Sequence, residues 1–129
     1  MQIAMAAMSN RDFPATVERV RAALTAQGFG VLSEIDVQAK MAEKLQRKMN
    51  GYLILGACMP ALAWDAIHAN PQVGVMLPCN VCIRETGEGV EILAMEPESA
   101  MNFFDDPVIS KVALDVSARL HRVLKAATA

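Results

Sequence analysis

Apolar residues near the start of the chain recur every three or four positions, which is the spacing of a helix with one buried face. The stripe consists of Phe13, Val17, Val20 and Leu24. Asp12 stands where an N-cap is expected, and Gly28 stands where a left-handed C-cap residue is expected. The pattern therefore predicts a helix over residues 13–27.

Beyond this helix the spacing changes to alternation, which is typical of a strand with one buried face. In the next segment, alternation predicts Val31 and Ile35 on one face and Glu34 and Asp36 on the other. Asp36 also suits the N-cap of a second helix, in which apolar residues step by four as far as Met49. The boundary between this strand and this helix stays open by a few residues.

The remaining apolar runs, separated by single Gly and Pro residues, complete the order β-α-β-α-β-α-β-β-α-α. The predicted strands cover residues 2–8, 30–37, 52–59, 79–85 and 90–96. The predicted helices cover residues 13–27, 37–49, 61–69, 97–104 and a last segment from the Asp105–Pro107 cap to Ala126.

A hairpin turn at residues 86–89 makes at least the last two strands antiparallel. No Gly-rich phosphate loop follows any strand, which disfavours a doubly wound parallel sheet. We predict one α+β domain over residues 1–129, with a mostly antiparallel sheet and helices packed mainly on one face.

Composition excludes several classes of function. The 129 residues carry 12 basic and 14 acidic side chains, a formal net charge of -2, whereas nucleic-acid binders present a basic surface. Aromatic residues, at 5%, are too few for a base-stacking platform. No apolar run approaches the roughly 20 residues of a membrane span, and no signal peptide is evident. We expect a cytoplasmic protein that binds neither nucleic acid nor membranes.

Three cysteines are the most chemically suggestive residues. Cys79 and Cys82 have the spacing of a redox or zinc motif, but residues three apart in a strand point to opposite faces. Cys58 ends one predicted strand and Cys79 begins another, so neighbouring strands would bring the two thiols together as a soft-metal site or reversible disulfide. Buried cysteine acting as a small apolar residue is the alternative. A site that adds His68 lacks the fourth ligand of a closed zinc site.

Two other features allow more than one interpretation. Glu34 and Asp36 on one strand face could hold a cation or act as an acid–base pair. Alternatively, they could form the solvent-exposed face of a half-buried strand. Trp64 is expected to be an anchor in the core or in a dimer interface rather than a stacking platform. No catalytic signature is present, and the sequence points to no particular cofactor.

These observations favour a module that binds a small ligand or a partner. The predicted ligand-binding residues are Glu34, Asp36, Cys58, Met59, Pro60, Cys79 and Asn80. The alternatives are a redox or soft-metal protein that uses Cys58 and Cys79, with lowered thiol pKa values, and a purely structural dimer with a flat sheet face.

Three segments resemble the domain of unknown function 302 family. They are GFGVLSEIDV (28–37), ILGACMP (54–60) and LPCNVCIRE (77–85), preceded by the helix TVERVRAAL (16–24) and followed by EPE (96–98). The resemblance implies a small α+β domain with a curved antiparallel sheet, similar in architecture to the TATA-binding-protein-like class, that forms homodimers. It implies no established biochemical role.

The resemblance also marks recurrent family positions in this chain. They fall on Glu34, Ile35, Asp36, Gly56, Cys58, Pro60, Pro78 and Cys79. The sequence departs from the family pattern at Met59, where asparagine usually precedes the proline, and at Val37, where histidine often follows the aspartate. A role that needs that amide or that imidazole is not expected here.

Overall fold

The computed structural model of the chain describes residues 2–129, and the order of its strands and helices is the predicted one. The strands are β1 (Ala4–Ser9), β2 (Gly30–Asp36), β3 (Tyr52–Cys58), β4 (Cys79–Thr86) and β5 (Gly89–Met95). The helices are α1 (Phe13–Ala26), α2 (Val37–Leu45), α3 (Pro60–Ala69), α4 (Pro97–Ala100) and α5 (Pro107–Ala127), with 3-10 turns over Pro71–Met76 and Asn102–Phe104.

The five strands form one open sheet in the order β1-β5-β4-β3-β2. Every neighbouring pair is antiparallel, so β1 and β2 are the two edge strands. The β4–β5 hairpin closes where the Thr86 hydroxyl donates a hydrogen bond of 2.8 Å to the Gly89 carbonyl oxygen. The prediction of an α+β fold with an antiparallel sheet is confirmed.

One face of the sheet carries the hydrophobic core. Leu55, Val81 and Ala94 lie side by side across three strands of this face and are almost completely buried. Helices α1 and α5 pack against it, and their Leu24 and Leu120 are buried as well. Burying each such Leu or Val stabilises the fold by about 1.5–3 kcal/mol, so this face accounts for much of the stability.

We call the opposite side of the sheet the open face. Its central row crosses all five strands and consists of Ile35, Ile54, Cys82, Leu93 and Ala6. A second row consists of Tyr52, Arg84, Glu91 and Met8. All nine residues are exposed or half-buried, in contrast to the buried rows of the core face. An antiparallel sheet with one solvated face normally carries polar residues there, whereas the central row here is apolar.

Few residues of the chain pack against the edge strand β2 or against the helix α2 that follows it. All seven residues of β2 are exposed, and α2 has no buried residue. Asp36 caps α2 by accepting a 2.9 Å hydrogen bond from the Ala39 amide. The sequence predicts this helix as far as Met49, but it ends at Leu45, where Gln46 adopts a left-handed conformation. A short helix with little tertiary packing has only marginal stability, and this explains the early end.

A β-bulge changes which residues of β2 share a face. Val31 lies opposite Ala57 and Ser33 lies opposite Gly56, so one extra residue is accommodated between them. The prediction that Val31 shares a face with Ile35 is wrong for this reason, because a bulge inverts the alternation beyond it. Val31 instead shares the core-side face with Glu34, and Ile35 turns to the open face.

The other helix boundaries agree closely with the sequence pattern, with one exception. The predicted helix over residues 97–104 is interrupted, so that only Pro97–Ala100 is α-helical. Asp106 is the N-cap of α5, and its carboxylate accepts a 2.8 Å hydrogen bond from the Val108 amide. Within residues 2–129, no helix is both long and apolar enough to cross a bilayer.

Candidate functional site

The two thiols at the sheet rim lie on neighbouring strands, as the sequence predicts. Cys58 is the last residue of β3, and Cys79 is the first residue of β4. The register, however, pairs Cys79 with Ala57 rather than with Cys58. Both thiols are nevertheless buried and border the same small hollow on the core side of the sheet, so the offset of one residue does not separate them.

The pKa values of these thiols are shifted in the direction opposite to that of reactive cysteines. Burial raises the pKa of Cys79 to about 11, and the nearby Cys58 adds to this increase. Burial also raises the pKa of Cys58. Reactive cysteines have lowered pKa values, because the thiolate is the nucleophile. All three cysteines are free thiols, and residues 2–129 contain no group of three or more His, Cys, Asp or Glu side chains that could hold a metal ion.

The acidic pair lies at a different place. Glu34 forms an ion pair of 2.6 Å with Arg21 of α1, and Asp36 caps α2. Both carboxylates line a hollow beside the start of α1, which Phe13 also borders. A carboxylate that is paired with a guanidinium or bonded to a backbone amide is already satisfied, so these two residues have clear structural roles.

The structure thus brings together only part of the predicted ligand-binding set. Cys58, Met59 and Cys79 border one small apolar hollow of about 20 Å³, which is roughly the room that one water molecule needs. Pro60 is exposed in the first turn of α3. Asn80 is exposed and lies opposite Gly56, in a row of the open face.

A groove of about 740 Å³ lies between α3 and α5, and we call it the α3–α5 groove. Its apolar wall includes Leu62 and Val108, and its polar groups come from Asp65, His68, Lys111 and Asp115. Ligand sites typically occupy about 300–1,000 Å³ and combine apolar walls with a few polar groups. The groove has both properties.

Trp64 lies along this groove with 66% of its surface exposed. Its ring stacks on His68 one turn later, with 4.2 Å between centroids and 29° between planes. The imidazole Nδ1 lies 2.8 Å from the Trp64 carbonyl oxygen. Since a carbonyl oxygen only accepts hydrogen bonds, Nδ1–H is the donor in this contact.

Some charged side chains along the groove already form an ion pair, and others do not. Asp115 accepts a 2.8 Å hydrogen bond from Arg119. Lys111 and Asp65, on facing helices, form no salt bridge with any residue among 2–129 and are exposed. One free cationic and one free anionic group are therefore available to a ligand in the α3–α5 groove.

Sequence reasoning did not identify this groove. Trp64 is not in the core, so that part of its predicted role is wrong, and a role at an interface stays a prediction. The signal lay in the spacing of α3, where Leu62, Ala66 and Ala69 step along the inner side and leave Trp64 and His68 off it. A large aromatic residue outside the apolar stripe of a helix suggests an exposed contact residue.

Comparison with known proteins agrees with the architecture. The family model described as "Domain of unknown function DUF302" matches residues 5–127. Among solved structures, the crystal structure of an uncharacterized conserved protein DUF302 from Bacillus stearothermophilus is similar, with a TM-score of 0.89 and 26% sequence identity. The match covers 97% of this chain and 98% of that chain. No curated protein matches. The resemblance noted in the sequence is confirmed, and the chain belongs to the DUF302 family.

Proposed function

We propose that the protein is a dimeric domain that binds a small ligand in the α3–α5 groove. The observation that carries this proposal is the groove itself, about 740 Å³ between two helices and bordered by the exposed Trp64. An exposed tryptophan beside a concave apolar wall offers a large contact area for a ligand.

The lining of the groove indicates which chemistry the ligand has. Leu62 and Val108 suit an apolar body, and the ring of Trp64 suits a flat or aromatic part. Lys111 is free to pair with an anionic end of the ligand, and Asp65 with a cationic end. An amphipathic molecule with an apolar body and a charged end therefore fits best.

The predicted site residues near the sheet rim are connected to this groove. Leu62 and Val112 border both the α3–α5 groove and the small hollow next to Cys58, Met59 and Cys79. A ligand that moves these two side chains apart would reach the sulfur-lined hollow. We retain Cys58, Met59 and Cys79 as candidate contacts for the inner end of such a ligand.

The compartment and the exclusion of nucleic acid belong to the same proposal. Three free thiols support a reducing compartment, the cytoplasm, because disulfides persist in oxidising ones. The net charge of -2 supports the absence of a nucleic-acid partner.

The groove can be probed with anilinonaphthalene sulfonate, a fluorescent aromatic anion that matches its apolar wall and Lys111. We expect saturable binding that Val108→Glu weakens by at least about tenfold. The substitution places a carboxylate in the apolar wall of the groove, where it repels the anionic dye. Val108 is 44% exposed and lines the groove. Fluorescence titration of the wild type and the variant measures the difference.

Val75→Glu is the matched control, because it makes the same substitution at a residue that is 87% exposed and outside the groove. Its affinity for the dye should equal that of the wild type. Equal weakening by both variants, or by neither, would place the dye elsewhere and contradict the proposed site. Native mass spectrometry of the purified protein would then report whether any small molecule copurifies.

A further inference from the structure

We propose that the open face of the sheet is the surface through which two copies of this chain associate, face to face about a two-fold axis. This inference rests on the dimeric state in the proposed function and adds the surface that forms it. It leaves the α3–α5 groove, on the helical side of the molecule, free for a ligand.

The apolar character of the open face is the first argument. Its central row, from Ile35 through Ile54, Cys82 and Leu93 to Ala6, contains no charged side chain and spans the full width of the sheet. Sheets with one solvated face alternate apolar and polar sides, and large contiguous apolar surfaces mark interaction sites. Two such faces pack together in the same way as the two sheets of a β-sandwich.

The charges on this face permit a second identical face to approach. Among the two open-face rows, only Arg84 and Glu91 are charged, and they pair with each other at 2.7 Å. The acidic residues of β2, Glu34 and Asp36, lie on the other side of the sheet, opposite Leu55 and Leu53. A self-associating face with an internally neutralised ion pair brings no like charges together, which a two-fold interface requires.

The total surface of the chain is large enough for this contact. A compact monomer of 13.9 kDa is expected to expose about 6,700 Å², and this chain exposes 7493 Å². An interface of standard size buries about 800 Å² on each partner.

The position of the exposed apolar residues agrees with this surface. Ile35 on β2 is 46% exposed and Met8 on the opposite edge strand is 45% exposed, although both are large apolar residues in a strand. A second copy on the open face would contact Ile35 at one edge of the sheet and Met8 at the other.

Sedimentation equilibrium of the full chain tests the proposal. The wild type is expected at the mass of two 13.9-kDa chains. Ile35→Glu and, independently, Met8→Glu should raise the dimer dissociation constant by at least about thirtyfold, the effect of losing an interface hot spot. Both residues are exposed in the single chain, so the added carboxylate has access to water in the monomer, and circular dichroism verifies that each variant is folded.

Leu114→Glu on α5 is the matched control, because Leu114 is 57% exposed on the helical side of the molecule. Its dissociation constant should equal that of the wild type. The central row also has a chemical reporter in Cys82, which is half-buried. Its alkylation, mapped by peptide mass spectrometry, should be at least about tenfold slower in the wild-type dimer than in Ile35→Glu.

Each outcome supports or overturns the inference. A monomeric wild type would overturn the dimeric part of the proposed function together with this surface. A dimer that neither Ile35→Glu nor Met8→Glu weakens would overturn the surface alone. A dimer that only Ile35→Glu weakens would place the contact at the β2 edge, as strand-to-strand pairing, and would overturn face-to-face packing.

Discussion

Replacement of Ile92 by alanine is expected to lower the free energy of unfolding by about 2–5 kcal/mol, the usual cost of truncating a buried Ile. Ile92 is fully buried on the core face, between Ile83 on β4 and Ala7 on β1. Helix α5 covers this face, so the lost methylene groups leave a cavity that the packed neighbours fill only partly. Urea unfolding monitored by circular dichroism measures the loss.

The neighbouring residue on the same strand is the matched control. Leu93 lies on the open face and is half-buried, so Leu93→Ala should cost less than about 1 kcal/mol in dilute protein. At high protein concentration its cost should increase, since the proposed dimer would also be weakened. Equal losses for the two variants in dilute protein would contradict the assignment of one covered and one open face.

Alkaline pH is expected to destabilise the protein through the buried thiol of Cys79. Its pKa is raised from 9.0 to about 11 in the folded chain, so between these values the thiol ionises only in the unfolded chain. The contribution is fully present below pH 9 and is lost as the pH rises through the folded pKa of about 11. At 1.36 kcal/mol per unit, the loss is about 2–3 kcal/mol.

Cys79→Ala isolates this contribution from other alkaline titrations. The variant should unfold with a shallower dependence on pH above 9, and the difference from the wild type should grow up to pH 11. Cys82→Ala is the comparison, because Cys82 is only half-buried and its removal should leave most of the slope. Parallel curves for the wild type and Cys79→Ala would show that the Cys79 thiol ionises equally in both states.

The sequence predicts the order of elements because each element carries a complete local signal. The stripe of α1, the cap at Asp12 and the turn at residues 86–89 all depend on neighbouring residues alone. Hydrophobic periodicity and turn chemistry act over a few residues, so no tertiary information is needed. The family resemblance covers the same segments, and the confirmed match extends it to residues 5–127.

The candidate site could be predicted only in part, because it depends on register. Cys58 ends β3 shortly before Pro60, and Cys79 begins β4 directly after Pro78. The sequence therefore places both thiols at strand ends. Their orientation depends on whether Cys79 lies opposite residue 57 or residue 58, and a shift of one residue reverses every side chain. The bulge between Val31 and Ser33 has the same effect on β2. Neither feature has a signal in the pattern of apolar residues.

The α3–α5 groove could not be predicted for a different reason. It forms where two helices that are about 40 residues apart in sequence meet, and their crossing depends on ridge-and-groove packing rather than on any motif. Trp64 and His68 are visible in the sequence, but the wall that Val108 and Lys111 add is not. An exposed tryptophan therefore gave no reason to expect a concave site.

Each side of the sheet has a different task in the proposed function. The core face buries the hydrophobic core under α1 and α5, and the helices above it enclose the groove that we propose for a ligand. The open face is the surface that we propose for a second copy. This division explains why a chain with a complete core still leaves a row of apolar side chains in contact with water.

Hydrogen exchange measured by mass spectrometry over a wide series of protein concentrations tests this division most directly. We expect peptides from β2 and from the β4–β5 hairpin to exchange more slowly as the concentration rises, and peptides from α3 and α5 to exchange at an unchanged rate. Exchange that is independent of concentration across the whole sheet, or that slows only on the helical side, would contradict it.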